Sequence, residues 1–139
     1  MDVSKLIGES EPPYYELIGF ELLEADDGYA RGHIPLTERN SGVNNRLISH
    51  GGLTASIADI VGYWAVSSAN DFGLTPTVDL RIDYVAPALD DLYAEGTVQR
   101  NGDSTATVDV TVTADDEVVA LARGQYKTSG ASAETAWGL

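Results

Sequence analysis

The stretch Asn44 to Asp59, NNRLISHGGLTASIAD, decides how this chain is read. It places an amide and a His-Gly-Gly turn directly before an apolar helical run holding one carboxylate. From Gly51 to Asn70 nearly every side chain is small or apolar, including Leu53, Ile57, Ile60, Val61, Trp64 and Val66, and Asp59 is the only charged residue. A helix that is apolar all round is buried. An ionised carboxylate in that setting is costly unless it is paired or useful. The run predicts a helix from Gly51 to about Asn70, with Gly73 in its C-terminal cap.

Upstream, Pro12-Pro13 suits the start of a short helix over Tyr14 to Ile18. Phe20 to Ala25 and Tyr29 to Pro35 read as paired strands around the turn Asp26-Asp27-Gly28. Leu36 to Ser49 is polar and reads as a long loop, a kind that is more often functional than decorative. Downstream of Pro76 the period changes from helical to alternating. Val78, Leu80, Ile82 and Tyr84 fall on one face, and Asp79, Arg81 and Asp83 on the other. Leu92 to Arg100, Thr105 to Ala114 and Val118 to Thr128 continue as strands, joined by Asn101-Gly102-Asp103 and Asp115-Asp116. The expected order is two strands, one buried helix, then four strands in a meander. An α+β fold follows, a curled antiparallel sheet wrapped around one long central helix. Residues 1–139 make one domain on this reading, with a core of about 14–128 and a flexible tail over 129–139.

Composition excludes several classes. The 139 residues include no cysteine, so neither a disulfide framework nor a thiolate metal site is available. His33 sits in a strand with no companion His or Cys, and neither a metal nor a cofactor is expected. There are 22 acidic residues against 8 basic ones, a net charge of −14, and Lys5 and Lys127 are the only lysines. The acids are scattered, as at Asp26-Asp27, Asp90-Asp91 and Asp115-Asp116-Glu117, which describes an acidic folded surface rather than an acidic tail. Such a surface repels itself unless salt screens it, so a halophilic source is expected. Nucleic acid is not an expected partner, because phosphates need Lys and Arg. Neither a signal peptide nor an apolar run of spanning length is apparent, so a cytoplasmic protein without membrane contact is expected.

Asn44, His50-Gly51-Gly52, Asp59 and the strand Thr77 to Tyr84 before Ala86-Pro87 form a specific set. Asn lies six before the His and Asp nine after it. From about Phe20 to Lys127 the chain resembles the hotdog-fold acyl-thioester hydrolases, in the phenylacetate-pathway-like branch of the 4-hydroxybenzoyl-CoA thioesterase superfamily. The resemblance implies a homodimer whose sheets join, assembling to a homotetramer, with active sites between subunits and acyl-CoA as substrate. It implies Asp59 as nucleophile or general base. Gly51 would offer its N–H to the thioester carbonyl, Asn44 would position water or carbonyl, and Thr77 would hold the attacking water. Asn44 and Gly51 would come from one subunit and Asp59 from the other. Gly52 lets substrate approach the helix start, and Arg46 and Arg81, with Arg100, Arg123 and Lys127, are candidates for the coenzyme A phosphates.

The implied chemistry agrees with general physics. The first N–H groups of a helix lack intrahelical partners and carry the positive end of the dipole. Donors aimed at a carbonyl that gains negative charge are usually the largest catalytic contribution. His50 is a further catalytic candidate, and each residue also has a plainer reading: Asp59 as a buried helix Asp bonded to Ser or Tyr, His50 as a structural turn residue rather than a catalyst, Asn44 as a loop residue, Thr77 as a strand Thr. Tyr14, Tyr15, Tyr63, Trp64 and Phe72 line an acyl pocket or belong to the core. Two other activities compete with hydrolysis. One is a non-catalytic acyl-thioester binder, although no segment is basic enough for the DNA-binding module such proteins carry. The other is a hydroxyacyl dehydratase, whose His base does not match the spacing from His-Gly-Gly to Asp59.

Overall fold

Two aspartate-containing two-residue turns set two of the three hairpins. Asp27 and Gly28 carry φ of 43° and 85°, and Asp115 and Asp116 carry 50° and 60°. Positive φ at both central positions gives a twist that matches the flanking strands, and Asp tolerates that region. The computed structural model describes residues 11–130. Helix α1 (Pro13–Ile18) is followed by β1 (Glu21–Asp26), β2 (Tyr29–Ile34), a 3-10 turn (Glu38–Asn40), α2 (Gly51–Ser68), β3 (Thr77–Tyr84), β4 (Leu92–Asn101), β5 (Thr105–Ala114) and β6 (Glu117–Lys127). Beyond Gly130, the tail expected from the sequence lies outside the described residues.

The six strands form one antiparallel sheet in the order β1-β2-β4-β5-β6-β3. The expected four-strand meander is therefore corrected. Strands β4, β5 and β6 are consecutive neighbours, but β3 pairs with β6 at the sheet edge, and β4 pairs with β2. The physical reason is α2, which carries the chain across the concave face before β3 begins. Alternation identifies β3 as a strand without naming its neighbour.

Four of the five pairings contain a bulge. Each extra residue bends its strand and increases the local twist, and together they curl the sheet around α2. Ile57, Ala58, Val61, Ala65 and Val66 of the helix are fully buried, as are Ile34, Leu92, Val108, Val112 and Tyr126 of the sheet. The helix is not covered all round. Gly52, Ala55, Ser56, Asp59 and Tyr63, at helical spacing, form a stripe that stays at least partly exposed.

Helix α2 stops at Ser68, two residues earlier than expected, and Gly73 does not cap it. The left-handed positions are Asp71 and Phe72, with φ of 56° and 57°. They are held by a 2.8 Å bond from the Phe72 N–H to the Ser67 carbonyl and by the Ser67 hydroxyl on the Gly73 carbonyl at 2.8 Å.

Candidate active site

At the N-terminus of α2, His50 is the capping residue. Its Nδ1 accepts the Gly52 N–H at 2.8 Å. That role requires an unprotonated Nδ1, so the imidazole serves here as an acceptor for the backbone. With Gly52 claimed by the cap, the Gly51 N–H has no partner among the described residues. The Gly51 carbonyl accepts the Tyr84 hydroxyl at 2.7 Å. Gly51, Tyr84, Ser49, Thr54, Val85 and Ala88 line a cleft of about 380 Å³. Ser49 and Thr54 bond each other through their hydroxyls at 2.9 Å beneath it. The helix start is thus a rigid, exposed donor surface of the kind that favours a developing oxyanion.

Asp59 lies further along the same helix. Its Oδ1 accepts the Thr77 hydroxyl at 2.6 Å and the Tyr126 hydroxyl at 3.1 Å, and its backbone carbonyl accepts the same Tyr126 hydroxyl at 2.7 Å. Thr77 faces the helix only because of a bulge. Thr77 pairs with Tyr126 and Asp79 with Gln125, so two residues of β3 oppose one of β6. Simple alternation groups Thr77 with Asp79, Arg81 and Asp83. The extra residue, Val78, shifts the parity and turns Thr77 inward with Leu80 and Ile82. Arg81 stays on the outer face, 3.6 Å from Asp83 and 78% exposed.

Asn44 and Arg46 are exposed in the loop before α2. Ser41 ties the neck of that loop: its hydroxyl donates to the Val43 and Arg46 carbonyls and accepts the Ile48 N–H, at 3.1, 2.8 and 3.2 Å. One chain therefore presents three separate groups: Asp59 with Thr77, the helix start with His50, Gly51 and Gly52, and the loop with Asn44 and Arg46. Gly51 and Asp59 stand eight residues apart on one straight helix, which is about 12 Å along its axis at about 1.5 Å per residue. A single thioester does not reach both within one chain.

The sequence alone does not single out Tyr126 or Tyr84 as site residues. The clue to Tyr126 was Gly62, a glycine inside an otherwise well-formed helix one turn beyond Asp59. Burial pushes the Tyr126 phenol well above its ordinary value, and the nearby Asp59 charge adds to that. Of the aromatic candidates, Tyr15 and Trp64 are buried in the core. The Trp64 indole N–H donates to the Tyr15 hydroxyl at 3.1 Å, and burial pushes that phenol up to about 12. Tyr14 is exposed with its hydroxyl 2.6 Å from that of Ser56, and Tyr63 is half-buried beside the open stripe.

The sequence model of the thioesterase superfamily matches residues 48–121, more than half of the chain and the whole span from the helix start to β6. The chain belongs to the thioesterase superfamily. A Halobacterium salinarum protein that bears an esterase name is 34% identical over 122 residues, covering 79% of this chain and 80% of that one. Among solved structures, the Escherichia coli PaaI protein of the phenylacetic acid degradation operon superposes with a TM-score of 0.79 at 23% identity, over 88% of both chains. A Haemophilus influenzae thioesterase gives a TM-score of 0.81 at 15% identity, over 91% of this chain and 90% of that one. These two likenesses establish the hotdog fold. Among the described residues of this thioesterase-superfamily member, no helix is long and apolar enough to cross a membrane, and no cluster of three potential metal ligands occurs.

Proposed function

We propose that the protein hydrolyses acyl-CoA thioesters at a site shared by two subunits. Asp59 of one subunit would supply the base or nucleophile. The Gly51 N–H of the other would receive the carbonyl oxygen as it becomes an oxyanion, with Asn44 beside it orienting water or carbonyl. In the base route Asp59 takes a proton from water and the oxygen attacks the carbonyl carbon. The C–S bond then breaks and the thiolate leaves with the proton as free CoA. In the nucleophile route an Asp59 oxygen attacks the carbonyl carbon and the C–S bond breaks, so that a mixed anhydride forms and the CoA thiolate leaves. Water then cleaves the anhydride to the free acid and the Asp59 carboxylate, and the proton it releases goes to the thiolate. Both routes need the same two halves.

The observation that carries this reading is the separation on α2. The unclaimed Gly51 N–H and the hydrogen-bonded Asp59 carboxylate both lie on solvent-facing parts of one helix, too far apart for one chain to use together. The open edge of β3 supports pairing with a second copy. Val78, Tyr84, Val85 and Leu89 on and after that strand are 54%, 54%, 53% and 60% exposed. An apolar, unpaired strand edge on a chain this charged is a surface for association. A homodimer is the assembly this reading requires, its doubling to a homotetramer stays part of the proposal, and the acidic surface together with the Halobacterium relative supports a salt-adapted protein.

The test is thiol release from a panel of aliphatic and aryl acyl-CoAs in molar KCl. Wild-type protein is expected to turn over at least one class, and Asp59→Asn to lower kcat by at least about 100-fold with an unchanged melting temperature. Wild-type turnover by folded Asp59→Asn would refute the mechanism. Tight binding of acyl-CoA with no thiol release by wild type would replace it with the non-catalytic binder.

A further inference from the structure

The core of this protein is shaped around the hydroxyl of one tyrosine. Tyr126 is fully buried, and its ring fills a slot lined by two glycines. A Cβ on Gly62 of α2 would collide with the Tyr126 hydroxyl, and one on Gly124 of β6 would come within 2.6 Å of ring atom Cε2. Glycine inside a helix is unfavourable by about 1 kcal/mol relative to alanine, so its presence at Gly62 needs a packing reason. The room it leaves delivers the Tyr126 hydroxyl to both the Asp59 carbonyl and Asp59 Oδ1. The cross-strand neighbour of Tyr126 is Thr77, turned inward by the Val78 bulge, and its hydroxyl reaches the same Oδ1 at 2.6 Å.

We infer that Tyr126 is a positioning residue for the Asp59 carboxylate: together with Thr77 it pins Oδ1 and fixes the rotamer, so that Oδ2 is the oxygen presented to the thioester or its water. This rests on Asp59 being the catalytic carboxylate. Oδ1 takes the Thr77 hydroxyl at 2.6 Å and the longer, 3.1 Å arm of the Tyr126 hydroxyl, whose one proton is shared with the Asp59 carbonyl, while Oδ2 has no hydroxyl donor among the described residues. An oxygen already accepting hydroxyl protons has fewer lone pairs open to substrate or water, whereas Oδ2 keeps its own. Rotation about the Asp59 side chain would exchange the two oxygens, and the shared Tyr126 bond to the helix carbonyl anchors the donor against that motion. Tyr126 touches neither substrate nor reacting atoms on this account. It acts through Asp59.

The decisive experiment is a double-mutant cycle on the full-length oligomer in molar KCl, read as kcat and KM separately. Tyr126→Phe is expected to lower kcat about tenfold or more with KM within about twofold, the loss of one hydrogen bond to a charged group. In the Asp59→Asn background the same change is expected to lower residual kcat by less than about twofold, because there is no anionic oxygen left to position. Thr77→Val is expected to lower kcat in the same way and Thr77→Ser to retain it. Equal kcat losses from Tyr126→Phe in both backgrounds would assign Tyr126 a purely structural role and overturn the inference, as would full kcat in Tyr126→Phe. Should Tyr126→Phe fail to fold, the Thr77 pair decides: full kcat in Thr77→Val would mean that Oδ1 is not held for catalysis. Full activity in Asp59→Asn would instead overturn the proposed mechanism itself, an outcome separate from all of these.

Discussion

His33 stands between two carboxylates on the outer face of the sheet. Its Nε2 is 2.9 Å from Asp91 and its Nδ1 3.4 Å from Glu21, and its ring stacks on Tyr93 with centroids 4.7 Å apart. Asp91 also accepts the Leu36 N–H at 2.9 Å. The His33 hydrogen bond first, then the Leu36 N–H, hold the Asp91 carboxyl below its ordinary value of 3.8. A depressed folded-state value means stabilisation that is present above the ordinary value and lost as the pH falls through the folded one. The melting-temperature gap between wild type and Asp91→Asn is therefore expected to shrink as the pH falls from about 5 toward 3. A gap that widens on acidification would contradict the assignment. The place of Asp59 on the long helix and of the His-Gly-Gly turn at its start is legible in the sequence, because a lone carboxylate and paired glycines are visible as letters. The inward turn of Thr77 was not visible, because it depends on a one-residue bulge that shifts the parity of β3 and no residue type announces.

At the scale of elements, α2 and its strands show where local preference yields to packing. Gly62→Ala usually strengthens a helix by about 1 kcal/mol. Here the added methyl meets the Tyr126 hydroxyl in a filled core, where overpacking costs about 1–3 kcal/mol. We expect Gly62→Ala to lower stability by up to about 2 kcal/mol, the overpacking cost less the helix gain, measured as a drop in melting temperature against the sign of helix propensity. A rise would mean that the slot is looser than its geometry indicates. Strand and helix identities were legible because the hydrophobic period changes from helical to alternating after Pro76. The neighbour of β3 was not legible, since its pairing with β6 is decided by the path of α2 across the sheet. The stop at Ser68 was also missed, because left-handed Asp71 and Phe72 do the work that Gly73 was expected to do.

The molecule as a whole is governed by its charge. With 22 acidic residues and a net charge of −14, scattered carboxylates repel one another. At millimolar salt the screening length reaches about 30 Å, on the scale of the domain, and at molar salt it falls to about 3 Å. The melting temperature is expected to rise steadily from millimolar to molar KCl, with subunits dissociating at the low end, as followed by sedimentation. Unchanged melting and sedimentation across that range would remove salt adaptation and leave the thioesterase reading in place. On the proposed mechanism association matters for chemistry as well as stability, because the Gly51 donor and the Asp59 carboxylate of one chain are about 12 Å apart along α2 and would meet only across two chains. The most direct test mixes two inactive proteins, Asn44→Ala and Asp59→Ala, dissociated together at low salt and reassembled in molar KCl. Heterodimers would contain one site with both residues intact, so thiol release should return to an appreciable fraction of wild type, while each variant alone stays inactive. Mixed oligomers that demonstrably form and remain inactive would contradict a site built across two subunits.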